Sequence, residues 1–280
     1  MSNKLLKACS VLPVFAVCGM ISTVGLTSAK AAVVDIQEGQ VFENQKNEVA
    51  DERAGALTIS YGDSLSNSGV NNVTFKNNSS VNSGGAMKAL NGFTAGDGWT
   101  FEGNTSNKMS GGLYVKIPET EDSDRNISFG NNTTFKGNYS KWLGGALGIE
   151  AAENFVMGDG ALFEENSTAA DGGAIAIWTD KSNGVTVGSN LTLGQSVFKG
   201  NTAANRGGAI ANLNNDKAED KTDFYNTVNI GANSLFSSTL SKSISSKYEK
   251  ESNIKFSNLK VLGLSGTCFT PSSLIKEFFL

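Results

Sequence analysis

The stretch PETEDSDRN, residues 118–126, sets Asp122, Asp124 and Asn126 at alternate positions. Two carboxylates and an amide at that spacing copy the first three oxygen ligands of an EF-hand calcium loop. The match then fails where geometry demands most, because Ile127 stands where the loop needs Gly and Thr133 where it needs a bidentate Glu. A solvated charged loop is the simpler reading, and no metal ligand is assigned. Residues 214–223, NNDKAEDKTD, mix charges similarly and read as a second protruding loop. The glycine pairs of the chain are followed by Ala or a large residue, so they do not fit the calcium-binding G-G-x-G-x-D nonapeptide either.

The rest of the inventory is thin in catalytic groups. The chain has no His, which excludes histidine-dependent triads and histidine metal sites. After residue 31 its arginines are Arg53, Arg125 and Arg206. A carbohydrate-cleaving site would need clustered carboxylates with a neighbouring acid or base, and no such cluster can be read from spacing. No catalytic, cofactor or metal site is expected.

What does recur is a frame of bulky and small residues. Phe75, Asn78 and Gly84-Gly85 are echoed by Phe101/Asn104/Gly111-Gly112, Phe135/Asn138/Gly144-Gly145, Phe163/Asn166/Gly172-Gly173 and Phe198/Asn201/Gly207-Gly208. A degenerate earlier copy holds Phe42 with Ala54-Gly55-Ala56-Leu57, and a later start holds Phe236. Successive phenylalanines from Phe75 to Phe198 lie 26, 34, 28 and 35 residues apart. Periods of that length mean a solenoid, propeller or array. Helical repeats are disfavoured, since each mid-helix Gly costs about 1 kcal/mol, and a propeller blade needs four strands where two or three can be found.

Each repeat therefore reads as one β-coil. A first strand ends at the Phe, a polar turn carries the Asn, and Gly-Gly opens a second strand. A third segment, such as VTVGS or NFVMG, completes the circuit. Counted from the first Gly, Ala86, Leu113, Ala146, Ala174 and Ala209 are equivalent, followed by Met87, Tyr114, Leu147, Ile175 and Ile210. Stacking coils about 4.8 Å apart piles the rings into a core and files the asparagines into a ladder, each amide donating to the next. The glycine pair permits a tight corner. The expected fold is all-β, a right-handed parallel β-helix of about six coils over residues 32–236. The longer spacings are absorbed by loops near 118–126 and 180–190.

The ends differ from the repeat. Lys4 and Lys7, an apolar run from Val11 to Leu26 and Ala29-Lys30-Ala31 read as a secretory signal over residues 1–31, forming an N-terminal signal helix. An uncleaved anchor is the alternative; lipidation at Cys18 fits less well because Val17 is bulky. Cleavage after Ala31 removes Cys9 and Cys18 and leaves Cys268 with no partner for a disulfide. It also leaves 20 basic against 27 acidic side chains, a formal −7 in place of −4, so nucleic acid is not an expected partner. Residues 237–280 show no repeat frame and read as an irregular tail, either foreign to the repeat through truncation or frameshift, or a cap.

Alternating F-x-x-N and G-G-A-[ILV] motifs resemble the repeats of the polymorphic outer-membrane proteins of chlamydiae and of related autotransporter passengers. The strict second motif stands at Gly144–Leu147, Gly172–Ile175 and Gly207–Ile210, with relaxed versions at Gly84–Met87 and Gly111–Tyr114. The resemblance, over residues 40–236, implies an exported adhesin-like passenger at the cell surface or outer membrane. Its partner would be a receptor on a host or neighbouring cell. Membrane attachment would run through a C-terminal barrel that some 40 residues cannot supply. The rival expectation is a carbohydrate-active β-helix enzyme.

Overall fold

A computed structural model describes residues 32–51, 53–117, 124–182, 185–213, 226–237, 240–241, 254–256 and 260–262. The chain divides into Met1–Lys30 and Ala31–Leu280, and every described residue belongs to the second unit. The expected signal segment, residues 118–123 and the 214–223 loop lie outside the described residues.

All regular structure among the described residues is β-strand. Four parallel sheets run the length of the coil, and each turn of chain visits them in order. The first holds the phenylalanines, in eight strands from Val41–Glu43 through Thr74–Lys76, Thr100–Glu102, Thr134–Lys136, Ala161–Glu164 and Ser196–Lys199 to Leu235–Ser237 and Lys260–Leu262. The second follows the asparagine in two-residue strands such as Ser79–Ser80 and Tyr139–Ser140. The third follows the glycines, from Leu57–Ile59 to Ile210–Leu213. The fourth closes the circuit through strands such as Asn126–Phe129 and Asn154–Met157. This is a parallel β-helix. A further parallel pair, Val33–Val34 with Ser64–Leu65, lies at the N-terminal end of the repeat.

Alternation along each short strand decides which side faces inward. In Thr134–Phe135–Lys136 the ring is fully buried while Thr134 and Lys136 flank it at the surface. The interior is completed by Met87, Leu113, Leu147, Ile175 and Ile210 from the glycine sheet and by Phe155, Leu191 and Val228 from the closing sheet. Burying each such side chain contributes about 1.5–3 kcal/mol.

Four sequence expectations need correction. The coil has four strands, because two residues after each asparagine pair with their counterparts, a run too short to show alternation. VTVGS does not close its coil: Val185–Val187 pairs antiparallel with Asp180–Ser182 in a hairpin, and Asn190–Leu193 takes the closing-sheet place. The expected loop near 180–190 is therefore largely this hairpin. The tail is not irregular throughout. Leu240–Ser241, Ile254–Phe256 and Lys260–Leu262 add to three of the sheets, with Val261 opposite Phe236. An open sheet edge offers backbone N–H and C=O groups to any extended segment, so pairing there does not require the repeat signature. The fourth correction concerns register in the second full copy. Leu113 pairs with Met87 and Leu147, and Tyr114 with Lys88 and Gly148. Counting from Phe rather than from the glycines gives this alignment, which sets Gly111 beside Gly85 and Ser110 where the other copies have their first Gly. Ser110 carries the left-handed turn, with φ 58°.

Candidate functional site

The repeat residues are scaffold, and they define by exclusion the faces left for function. Phe42, Phe75, Phe101, Phe135, Phe163, Phe198 and Phe236 form one continuous stack. Neighbouring ring centroids lie 4.6–5.1 Å apart, with planes within 5° of parallel. Except for the half-buried Phe42 at the end, these rings are wholly buried.

Asn78, Asn104, Asn138, Asn166 and Asn201 are also wholly buried and file along one corner. The carboxamides of Asn78, Asn104, Asn138 and Asn166 each span three coils. The Nδ2 of Asn138 donates to Asn166 Oδ1 at 2.9 Å and to Phe101 O at 2.9 Å, while Asn138 Oδ1 accepts from Asn104 N and Asn104 Nδ2, each at 3.0 Å. The second donation, back to the phenylalanine carbonyl, was not anticipated from sequence. It leaves every polar atom of the buried amide satisfied, which burial requires.

Gly84, Gly144, Gly172 and Gly207 make the left-handed turn, with φ between 60° and 76°. The second glycine serves close approach: a Cβ on Gly145 would lie 2.1 Å from Gly173 O of the next coil. Gly111 and Gly112 lack a positive φ for the reason given above, whereas Gly85, Gly173 and Gly208 occupy the second place.

On the outward side, three arrangements follow from the register. The residues after each Phe alternate in sign: Glu43, Lys76, Glu102, Lys136, Glu164 and Lys199 are consecutive neighbours in the phenylalanine sheet. Glu164 meets Lys136 and Lys199 at 2.8 Å each, and Lys76 approaches Glu102 at 3.9 Å. Hydrogen bonds from the two ammonium groups hold the Glu164 carboxyl down at about 2 and raise both lysines. Aligning the copies on Phe displays this alternation in the sequence itself.

A second oxygen rail runs where the closing sheet meets the phenylalanine sheet. Side-chain oxygens of Asn71, Asp97, Asn131 and Asp159 each accept the backbone N–H of the residue one coil on, at 2.7–2.9 Å. The glycine sheet carries a cluster on its outward positions. Tyr114 donates its hydroxyl to Glu150 Oε2, Lys116 Nζ lies 2.7 Å from Glu150 Oε1, and the Tyr114 and Trp178 rings stack at 6.0 Å across Gly148. Lys88 Nζ lies 5.8 Å from the centre of the Tyr114 ring. The cluster joins one carboxylate to a phenol and an amine, a set able to bind a polar ligand or pass a proton.

Of the loop matching the start of a calcium site, Asp124 and Asn126 are described. Asp124 Oδ1 accepts from Asn126 N and Nδ2, each at 3.0 Å, in a local turn. Among the described residues no group of three or more Cys, Asp or Glu is placed to hold a metal ion.

The described chain thus belongs to the class of parallel β-solenoids, with a coil of four strands. The family model for the Chlamydia polymorphic membrane protein repeat matches residues 195–213, which span Phe198, Asn201 and Gly207-Gly208. That coil is in register with the one before it, so Phe198, Asn201 and the glycine pair stand at the places that Phe163, Asn166 and Gly172-Gly173 hold one coil earlier. No curated protein and no solved structure matches the chain.

Proposed function

We propose that the chain is an exported bacterial surface protein whose solenoid acts as a passenger-type rod, displaying outward side chains to a partner on another cell. The observation that carries this reading is the match to the polymorphic membrane protein repeat at residues 195–213, on a coil whose motif residues all serve packing. A scaffold that spends its recurrent residues on the interior leaves its outer faces free to vary, as display requires. The role is binding rather than catalysis, with no cofactor. Labelling intact and permeabilised cells with an antibody to residues 32–236 tests display; label confined to permeabilised cells overturns it. Beads coated with the same segment should adhere to host cells, and soluble segment should compete.

A carbohydrate-active reading draws support from the Glu150–Tyr114–Lys116 cluster alone. Release of reducing ends from a polysaccharide, abolished by Glu150→Gln, would establish it.

A further inference from the structure

Two exposed aromatics depart from the repeat in the same coil. At the fourth position after Phe the copies carry Ser79, Thr105, Tyr139, Ser167 and Thr202; at the seventh they carry Asn82, Lys108, Trp142, Ala170 and Asn205. Tyr139 is 40% exposed and Trp142 50% exposed. Neither contributes to the core, and exposing two large rings where the coil otherwise tolerates small or polar residues has no structural return. Large aromatics of this kind are the usual anchors of recognition surfaces.

Their surroundings define the chemistry. Thr105 and Ser167 pair with Tyr139 from the coils on either side. Trp142 N donates to Lys108 O at 3.0 Å, which sets Lys108 one coil away, and Lys141 precedes Trp142 in the chain. Lys108 and Lys141 are exposed, and neither has an acidic partner among the described residues. Aromatic faces beside hydroxyls and two uncompensated ammonium groups suit pyranose rings that carry occasional carboxylates. An added peptide strand is disfavoured, because the backbone of this coil is already paired on both sides and offers no edge. A nucleic acid is disfavoured by the −4 charge of the chain, since a phosphate at every residue needs a broad basic surface.

We propose that Tyr139, Trp142, Lys108 and Lys141 form a binding site for a carboxylated glycan, one bearing uronic or sialic acid. The proposal gives a ligand class to the display reading above and rests on it for its setting. The full chain is titrated with a hyaluronan octasaccharide, with sialyllactose and with neutral lactose, following the heat of binding by calorimetry. Saturable binding to at least one acidic glycan, at least tenfold tighter than to lactose, is expected; the two acidic probes separate uronic from sialic acid. Trp142→Asn with Tyr139→Thr, residues already tolerated in sister coils, should weaken binding at least tenfold without changing the melting temperature. Lys108→Ala with Lys141→Ala should weaken the acidic glycan and flatten its salt dependence. Equal affinity for lactose, unchanged affinity in both double variants, or tighter binding of poly-glutamate or single-stranded DNA would overturn the proposal. Surface labelling is measured independently, so a displayed chain that ignores these sugars removes the glycan site and leaves the display reading standing.

Discussion

Arg206 holds Asp171, one coil earlier, by three hydrogen bonds. Its Nε and backbone N reach Oδ1 at 3.1 and 3.0 Å, and its Nη2 reaches Oδ2 at 3.0 Å. The two positions immediately precede their glycine pairs, so the pair bridges equivalent corners of adjacent coils. Because Asp171 also satisfies a backbone donor, the partners are not equivalent. Asp171→Ala should cost about 1 kcal/mol more than Arg206→Ala, since it also strands an N–H. The side-chain coupling in a double-mutant cycle should be about 1 kcal/mol and should shrink in high salt. Urea melts of the four proteins give both quantities; equal single-mutant losses would count against the backbone role.

Phe135 sits between Phe101 at 4.6 Å and Phe163 at 5.1 Å. Phe135→Ala should destabilise the solenoid by about 3–5 kcal/mol. Phe42, half-buried with one ring neighbour in the stack, should lose less than half as much on the same change. Chemical denaturation of the two variants tests the gradient.

Asn138→Ala leaves Asn104 N and Nδ2 without their acceptor inside the coil, and a loss of about 3 kcal/mol is expected. Asn138→Asp is the finer probe. The new carboxylate would face Phe101 O and Asn166 Oδ1 where an amide once donated, so burial and two facing acceptor oxygens, which only the protonated form can bond, push its folded pKa above the unfolded value. The variant should then be most stable in acid, where the carboxyl is protonated in both states, and should weaken as pH rises through the folded pKa. A stability curve parallel to the wild type across pH 3–7 would contradict the ladder.

Ser110 is fully buried, turns with φ 58°, and its hydroxyl has no hydrogen-bond partner among the described residues. Ser110→Gly should stabilise by about 1 kcal/mol by relieving the left-handed strain. Gly144→Ala should do the reverse and by more, since its Cβ would meet Leu147 O at 2.3 Å. Thermal melts of the pair should move in opposite directions.

Glu164 supplies the pH signature. Its folded pKa of about 2 lies below the ordinary 4.5, so its ion pairs contribute fully above pH 4.5 and are lost as pH falls toward 2. The stability difference between wild type and Glu164→Gln should therefore close between pH 5 and pH 2. It should also narrow in 1 M salt at neutral pH, because both lysines are open to solvent.

The ring stack was legible because Phe and Asn recur at a fixed offset of three, and a single interior row needs no further information. The glycines misled in one copy because two properties were read as one. Turning left-handed and admitting a close neighbour fall on successive positions, and Ser110 can do the first while only Gly suits the second. The two-residue strands after each asparagine were invisible, since a period of two cannot show in two residues. The Asp180–Val187 hairpin was hidden because its VTV resembles a closing strand. The aromatic corner at Tyr139 and Trp142 could be found only as a departure from the repeat, which requires the register first.

The alternating charges beside the phenylalanines give the molecule a second, longer rhythm. Geometrically the solenoid repeats with every coil, but electrostatically it repeats with every second one. Copying a single coil from this stretch into its neighbour would set Lys against Lys or Glu against Glu, whereas copying two would preserve the order. A rod of this composition can be lengthened or shortened smoothly only in even steps.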